Sequence, residues 1–291
     1  MIRGGAVMRL VRAPAALTVL GDTLAGAAAA GRPLRGRRLA LPLASVALYW
    51  AGMALNDYAD RAVDARERPE RPIPSGQVSP AQALGIASGL TMGGLTLAAA
   101  GGGRDALHIA APLAGTIWAY DCWLKNTPAG PVGMAACRGL DVLLGAGRRA
   151  RHRARHRALP AAGVLAAHTL GLTALSRGEV HGASPATGIA AATCSALAGM
   201  AALLGPARSW GHRAVAASAS AAFAALVLPR QRAAAREPSA AAVRAATVSG
   251  IHAMVPLQCA LTTRQGALAD AALLAMVFPL ARRLRRVVSP T

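Results

Sequence analysis

The sequence has few acidic residues, few aromatic residues and, among its 32 basic residues, a single lysine. Only 12 of its 291 residues are Asp or Glu, and only 3% are Phe, Trp or Tyr. So few rings provide no platform for stacking nucleic-acid bases. The four cysteines have no short Cys-x-x-Cys spacing, which argues against a zinc or disulfide framework and favours buried reduced thiols.

Long uncharged stretches of alanine, leucine and glycine fill much of the chain. Hydrophobic residues make up 54% of the sequence and the mean hydropathy is +0.38, which is typical of a membrane protein. The net charge of +20 would suggest nucleic acid in a soluble protein. Here the arginines mark the ends of apolar runs, where they can contact anionic lipid head groups. We therefore expect membrane lipids as partners and no nucleic acid.

The apolar runs predict an all-α fold, a polytopic membrane bundle of nine or ten transmembrane helices around a central cavity, as one domain over residues 1–291. Most runs approach the roughly 20 residues that cross a hydrocarbon core of about 30 Å. The ten candidates are residues 14–30, 39–55, 81–100, 106–123, 131–146, 159–175, 185–204, 214–228, 240–261 and 267–284. Abundant alanine and glycine permit close helix packing within the membrane.

An even number of spans places both basic termini on one side, together with the polar stretch 56–76. The positive-inside rule makes that side cytoplasmic. The basic run RRARHRARHR at 148–157 would lie on the other side, so the rule discriminates weakly here. The expected location is the cytoplasmic membrane, with the acidic motifs on its cytoplasmic side.

Carboxylates cluster in the stretch 56–76, NDYADRAVDARERPERPIPSG, which contains five of the twelve acidic residues. Asn56, Asp60 and Asp64 are spaced i, i+4, i+8, with Asp57 beside them, so a helix would present them on one face. Such oxygen ligands suit a hard divalent cation, and the interleaved arginines suit phosphate. The stretch is either a metal-bridged diphosphate site or a solvated, self-paired charged loop.

A second informative stretch, 120–147, contains the only lysine, Lys125. A lysine ammonium is a compact point charge that binds phosphate. Farther along, Arg138 and Asp141 are three residues apart, so they either pair with each other or Arg138 faces a cavity. Charged and polar residues inside membrane helices usually face a cavity. The candidates of this kind are Asp22, Arg138, Asp141, His168 and His252.

The pattern N-D-x-x-D-x-x-x-D at 56–64, followed by R-P-I-P-S-G at 71–76, resembles the first aspartate-rich motif of the UbiA superfamily of intramembrane prenyltransferases. The segment 120–125 is similar to the family's tyrosine-lysine motif at the end of its fourth helix. The helix layout is similar over nearly the whole chain.

The resemblance implies an Mg²⁺-dependent prenyltransferase that binds an isoprenyl diphosphate and transfers a cationic allyl group to a small-molecule or lipid acceptor within the membrane. The isoprenoid tail would lie in an apolar cavity open to lipid. The implied metal ligands are Asn56, Asp57, Asp60, Asp64 and Glu179. The implied diphosphate contacts are Asn56, Arg71, Lys125 and Arg138, and the catalytic residues are Asp57, Asp60 and Lys125.

Two features depart from the family pattern. The family's second motif reads D-x-x-G-D, whereas residues 175–179 read LSRGE, so only Glu179 keeps a carboxylate, with His181 nearby. Ten candidate helices also exceed the family's usual nine. These departures indicate a divergent branch of the superfamily.

Two alternatives stay open on the sequence. One is a UbiA-type terpene cyclase, in which the cation is quenched within the same molecule. The other is a non-catalytic membrane transporter or lipid-binding protein. Transport predicts charged residues near the middle of the membrane, whereas catalysis predicts that they gather at one face.

Overall fold

The computed structural model describes residues 4–12, 18–147 and 151–276, which are helical and contain no β-strand. The helices are α1 Gly4–Leu10, α2 Leu20–Ala29, α3 Ala40–Ala59, α4 Arg61–Glu67, α5 Pro80–Gly102, α6 Arg104–Ala119, α7 Gly130–Ala146, α8 Arg151–Ser176, α9 Pro185–Leu204, α10 Trp210–Arg236 and α11 Ala240–Thr263. A 3₁₀ turn, Gly36–Leu39, precedes α3, and a π-helical turn, Tyr120–Leu124, follows α6. Residues 268–276 are helical again.

Six helices of the described chain are long and apolar enough to cross a membrane, judged by length and composition. These candidate spans are residues 36–59, 80–102, 156–176, 185–204, 210–236 and 240–263. The helices α2, α6 and α7 have only 10, 16 and 17 residues. The structure therefore agrees with an all-α membrane bundle but does not confirm nine or ten spans.

Three boundaries differ from the prediction. Helix α3 continues through Asn56 and Asp57, beyond the predicted end at residue 55. Helix α8 begins at Arg151, so the basic run 148–157 is largely helical and not a loop. Helix α2 begins at Leu20, later than the predicted start at residue 14. Parts of two predicted helices lie outside the described residues, namely 14–17 of the first and 277–284 of the last.

Helix α2 lies near the centre of the bundle, where it packs against α3, α7, α8 and α11. Helices α3 and α5 pack along much of their length, as do α7 with α8 and α10 with both α9 and α11. Most of the buried side chains are alanine or leucine, which permits the close approach of helix backbones in lipid. This packing positions the ends of α3 and α6 beside each other, where the candidate site lies.

His168 joins three helices. It is fully buried on α8, its Nδ1 lies 2.9 Å from Ser195 Oγ on α9, and its Nε2 lies 3.1 Å from the carbonyl oxygen of Gly250 on α11. The prediction that His168 faces the central cavity is wrong, because both ring nitrogens have protein partners. His252, on α11, is half-buried.

Helix α5 begins with a capping box directly after the polar stretch. The Ser79 hydroxyl accepts the backbone N–H of Gln82, and the Gln82 side chain accepts the Ser79 N–H at 2.9 Å. We expect Ser79→Ala to lower the free energy of unfolding by about 1 kcal/mol, because backbone donors at the helix start lose their partner. Thermal unfolding in one detergent measures the change. Ser88→Ala, on the exposed surface of α5, is the control and should change stability by less than about 0.5 kcal/mol.

Candidate active site

The four residues of the acidic motif extend over two helices that meet at Asp60. Asn56 and Asp57 lie in the last turn of α3, Asp60 occupies the junction, and Asp64 lies in α4. Asp57 and Asp64 are each only 3% exposed. Since buried carboxylates require partners, the surroundings of these two residues determine what the motif can do.

Two arginines neutralise the buried carboxylates. Arg71 donates from Nη1 to Asp64 Oδ2 at 2.6 Å and also approaches Asp57 Oδ1 at 3.4 Å. Arg12, from the segment after α1, donates to Asp57 Oδ1 at 3.0 Å. Asp57 is therefore held between two guanidinium groups. Arg71 was predicted at the site from the sequence, whereas Arg12 was not.

The turn that follows Arg71 fixes its position. The Ser75 hydroxyl donates to the carbonyl oxygen of Arg71 at 2.7 Å, and Gly76 has a φ of +73°, which favours glycine. Ile73 and Val78 are buried beneath this turn with Leu10 of α1. The R-P-I-P-S-G run thus forms a compact turn that directs one guanidinium onto the acidic motif.

Lys125 lies at the end of the π-helical turn and forms an ion pair with Asp60, with Nζ to Oδ1 at 2.6 Å. The same turn contributes Asp121, whose Oδ1 accepts a hydrogen bond from Asn56 Nδ2 at 3.3 Å. The sequence reasoning did not select Asp121, although it precedes Lys125 by one helical turn.

These three groups of contacts lie side by side where α3 and the π-helical turn end, and we name them together the mouth cluster. Its members are Arg12, Asn56, Asp57, Asp60, Asp64, Arg71, Asp121 and Lys125. Carboxylate and amide oxygens are the ligands that Mg²⁺ prefers, and three basic side chains provide contacts for phosphate oxygens. The donor chemistry therefore fits a divalent cation with a diphosphate, while in the described residues these carboxylates pair with arginine and lysine and no three of them come close enough together to hold a metal ion.

Glu179 does not join a group of metal ligands in the described residues. No three side chains of the Asp, Glu, His or Cys type come together there closely enough to hold a metal ion. The backbone carbonyl of Glu179 accepts a hydrogen bond from Arg244 at 2.6 Å, and the neighbouring Arg177 donates to the carbonyl of Thr127. His181 is exposed.

A cavity of about 260 Å³ leads from the mouth cluster into the bundle. Arg12, Asn56, Tyr120 and Asp121 line its outer end. Its middle, which we name the waist, is largely apolar and is lined by Leu48, Gly52, Met53, Leu113, Ile117 and Met134. Its inner end is polar again and is lined by Asp22, Ser45, Arg138 and Asp141.

The polar residues at the inner end contact one another, and with Gln258 they form what we name the inner cluster. Arg138 pairs with Asp22 and lines the cavity, so of the two alternatives left open by the sequence the structure agrees with the one in which Arg138 faces a cavity. Gln258 Nε2 donates to Asp22 Oδ1 at 2.7 Å, and the Ser45 hydroxyl donates to Asp141 Oδ2 at 2.6 Å. The structure brings Arg138 into this cluster and not into the mouth cluster.

A sequence model of the UbiA prenyltransferase family matches residues 18–255. The chain belongs to the UbiA prenyltransferase family. This confirms the resemblance drawn from the acidic motif. The match spans every residue of the mouth cluster except Arg12 and every residue of the inner cluster except Gln258.

Curated relatives share parts of the chain. The digeranylgeranylglyceryl phosphate synthase of Korarchaeum cryptofilum is 35% identical over 123 residues, 42% of this chain and 43% of that protein. The protein of the same name from Methanopyrus kandleri is 41% identical over 110 residues, 38% of each chain. The one from Halobacterium salinarum strain R1 is 38% identical over 139 residues, 46% of this chain and 48% of that protein. The matches span less than half the length of each of these relatives.

Two solved structures share the fold over most of the chain. The apo structure of a UbiA homolog from Aeropyrum pernix K1 superimposes with a TM-score of 0.69 at 18% identity, covering 90% of this chain and 98% of that one. A structure of digeranylgeranylglyceryl phosphate synthase in membranes gives 0.64 at 17% identity, covering 91% and 98%. At these identities the comparison supports the helical architecture alone.

Proposed function

We propose that this protein transfers an isoprenyl group from an isoprenyl diphosphate to an acceptor within the membrane, in an Mg²⁺-dependent reaction. The observation that carries the proposal is the mouth cluster, in which carboxylates and three basic side chains meet beside an apolar waist. An isoprenyl diphosphate matches this arrangement, because its anionic diphosphate suits the charged side chains and its apolar tail suits the waist.

The carboxylates of the mouth cluster would hold the metal. We assign this role to Asn56, Asp57, Asp60 and Asp64, since they offer oxygen ligands at the end of α3 and the start of α4. Glu179 remains a weaker candidate because the contact described for it, from Arg244 to its backbone carbonyl, does not join it to the mouth cluster. When bound, Mg²⁺ supplies positive charge that stabilises the departing diphosphate.

The basic side chains of the mouth cluster would contact the diphosphate directly. Lys125, Arg71 and Arg12 each lie within 3.4 Å of a carboxylate of the motif, so they already face the position of the metal and its anion. Such charge-assisted contacts stabilise negative charge as it develops on the leaving group. Arg138, first considered a diphosphate contact, is assigned instead to the inner cluster.

The waist would hold the first part of the isoprenoid tail and exclude water from the reacting carbon. The bond between that carbon and the diphosphate oxygen breaks, the carbon bonds to an acceptor oxygen, and the hydroxyl proton passes to the released diphosphate. Leu48, Ile117 and Met134 line this part of the cavity. Their apolar surface shields an allylic cation from water, which would otherwise quench it.

Geranylgeranyl diphosphate is the first donor to test, because the curated relatives are named digeranylgeranylglyceryl phosphate synthases. Purified protein is incubated with Mg²⁺, labelled donor and a membrane lipid extract, and both diphosphate release and labelled products are measured. We expect an Mg²⁺-dependent product that contains the prenyl group joined to an acceptor. A cyclic hydrocarbon formed without extract would indicate the cyclase alternative. Donor binding with no bond cleavage would indicate the lipid-binding alternative.

The position of the inner cluster part-way along α3 and α7 is the observation that favours transport. Charges at that depth are expected in a transport pathway. However, the larger set of charges lies at one end of the bundle, at the junction of α3 and α4. We propose that this end faces the cytoplasm in the cytoplasmic membrane, where soluble diphosphate can leave.

Arg12 provides a prediction that tests the diphosphate assignment. We expect Arg12→Gln to raise the KM for geranylgeranyl diphosphate about tenfold, since the loss of one charge-assisted contact costs about 1.5 kcal/mol. Folding should change by less than about 1 kcal/mol, because the Arg12 side chain is 40% exposed and Asp57 keeps Arg71 as a partner. The rate of diphosphate release against donor concentration measures the effect.

Arg61→Gln is the matched control, since Arg61 contacts only the carbonyl and ring of Tyr58 in the described structure. Its KM should stay within twofold of the unmodified protein. Equal changes in the two variants would show that general positive charge near the membrane surface, and not a contact at the site, explains the Arg12 result.

A further inference from the structure

A groove of about 410 Å³ lies between α8 and α9, and it shares no lining residue with the cavity that leads from the mouth cluster. Pro160 and Gly163 of α8 line one wall, Leu197 of α9 lines the other, and all three are exposed. The lining is apolar except at one end, where Arg264 lies directly after α11. Since α8 and α9 both contain candidate membrane spans, this surface groove opens toward lipid.

Arg264 is a buried cation without a carboxylate partner. Its side chain belongs to a residue that is 5% exposed, and its Nη1 donates to the carbonyl oxygens of Ala201 at 2.8 Å and Ala202 at 3.4 Å. Its Nε has no hydrogen-bond partner among the described residues. All twelve acidic residues of the sequence lie within the described ranges, and none of them forms an ion pair with Arg264. The carbonyls at the end of α9 carry only partial negative charge, so the guanidinium still requires an anion.

A second arginine lies beside Arg264 at the same end of the groove. The backbone N–H of Arg208 donates to the carbonyl oxygen of Arg264 at 2.8 Å, and a β-carbon at Gly266 would contact the Arg208 side chain. Arg208 is exposed, and Trp210, which is 84% exposed, begins α10 two residues later. Exposed tryptophan and arginine are typical of the level of the lipid head groups. The two arginines therefore lie where the phosphate of a phospholipid would lie.

The surface groove lies toward the opposite end of the bundle from the mouth cluster. Helix α8 ends near the mouth cluster, because Arg177 donates to the carbonyl of Thr127, two residues after Lys125. Pro160 is sixteen residues before the last residue of α8, which is about 24 Å along a helix that rises 1.5 Å per residue. A diphosphate at the mouth cluster therefore cannot reach the surface groove, and the inference that follows does not depend on the proposed function.

We propose that the surface groove binds one anionic phospholipid, with its phosphate at Arg264 and Arg208 and one acyl chain along the apolar walls. The groove extends from Pro160 to Ala167, which is about 10 Å along α8 and covers the first part of an acyl chain. A phosphate supplies the negative charge that Arg264 lacks and is a strong hydrogen-bond acceptor. A zwitterionic lipid brings a cation of its own, which the two arginines repel. Inorganic phosphate matches the arginines but leaves the apolar walls uncovered.

The test compares dioleoyl phosphatidylglycerol, dioleoyl phosphatidylcholine and inorganic phosphate as ligands of the purified full chain in one detergent. Native mass spectrometry counts the bound lipids, and thermal unfolding against ligand concentration gives each Kd. We expect a Kd for phosphatidylglycerol about tenfold or more below that for phosphatidylcholine, since a charge-assisted contact contributes an effect of that order. Inorganic phosphate should leave Tm unchanged. Equal Kd values for the two lipids, or stabilisation by inorganic phosphate equal to that by phosphatidylglycerol, would overturn the inference.

Gly163→Leu tests the apolar part of the surface groove without changing any charge. A β-carbon at Gly163 meets no atom within 4 Å, so the leucine side chain fits and occupies the place of the acyl chain. We expect the Kd for phosphatidylglycerol to rise about tenfold, as several buried methylene groups lose their contacts. Gly115→Leu is the matched control, because Gly115 is exposed on α6 and its β-carbon would also meet no atom within 4 Å. An unchanged Kd in Gly163→Leu would place the lipid elsewhere and reject the groove.

Arg264→Gln tests the charged end of the surface groove. We expect the Kd for phosphatidylglycerol to rise about tenfold and the Kd for phosphatidylcholine to change by less than about twofold, because only the anionic lipid loses a contact with opposite charge. Arg37→Gln is the matched control, since Arg37 is exposed in the turn before α3, at the same end of the bundle. Equal losses in the two arginine variants would show general attraction to the net charge of +20 and would overturn the site. Gly163→Leu decides the question if Arg264→Gln fails to fold.

Discussion

Replacing Asp60 with asparagine is expected to lower the rate of diphosphate release from geranylgeranyl diphosphate by about 10³-fold, the order of effect seen when one group that stabilises transition-state charge is removed. Asp60 lies at the junction of α3 and α4 and forms an ion pair with Lys125. Its removal takes one proposed ligand from the metal and one partner from the lysine. Release of labelled diphosphate at saturating donor measures the loss.

The fold should survive this substitution. The side chain of Asp60 is 29% exposed, and partly exposed ion pairs contribute at most about 1 kcal/mol. Glu67→Gln, on the exposed surface of α4, is the matched control and should keep full activity. A similar loss of activity in both variants, or less than a tenfold loss for Asp60→Asn with the fold intact, would contradict the assignment of the metal site.

The acidic motif shows how much of the site the sequence could predict. Its polar residues stand out in an apolar chain, and the nearby Arg71 pairs with Asp57 and Asp64 as a local turn allows. The helix that would present these residues is interrupted at Asp60, where α3 ends and α4 begins. Spacing in sequence identified the polar residues that meet at the junction of α3 and α4 without showing that two helices present them.

The partners contributed by distant segments could not be predicted in the same way. Arg12 is 45 residues from Asp57, and Arg138 is 116 residues from Asp22. Nothing in local periodicity relates such pairs, which depend on how α1 covers the end of α3 and how α2 packs on α7. For Arg138, the sequence offered pairing with the nearby Asp141 or a position facing a cavity, and neither alternative named Asp22 as its partner.

Helix type was easier to predict than helix length. The basic run at 148–157 was interpreted as a loop because it is charged, yet α8 begins at Arg151. Arginine is a good helix former, and no proline or glycine interrupts residues 151–159. Hydropathy located the apolar parts of the helices, whereas intrinsic propensity extends α8 beyond them.

Gly145→Ala is expected to destabilise the bundle by about 3 kcal/mol or more, because overpacking against backbone cannot be relieved by a side-chain rotation. A β-carbon at Gly145 would overlap the backbone of Thr23 on α2, and Gly26 makes the reciprocal close approach to the backbone of Val142 on α7. These two glycines let α2 and α7 approach closely, as small residues do in membrane bundles. Thermal unfolding in a single detergent, monitored by circular dichroism, measures the loss.

The same substitution should also disturb the inner cluster, since Asp22 precedes Thr23 and pairs with Arg138 across this helix contact. Gly93→Ala is the matched control, because a β-carbon at this α5 position meets no atom within 4 Å. It should stabilise the protein by about 0.5 to 1 kcal/mol, since alanine favours helix more than glycine does. If both variants unfold at the same temperature as the unmodified protein, α2 and α7 do not pack this closely, and the Asp22–Arg138 pair at the end of the cavity loses its structural basis.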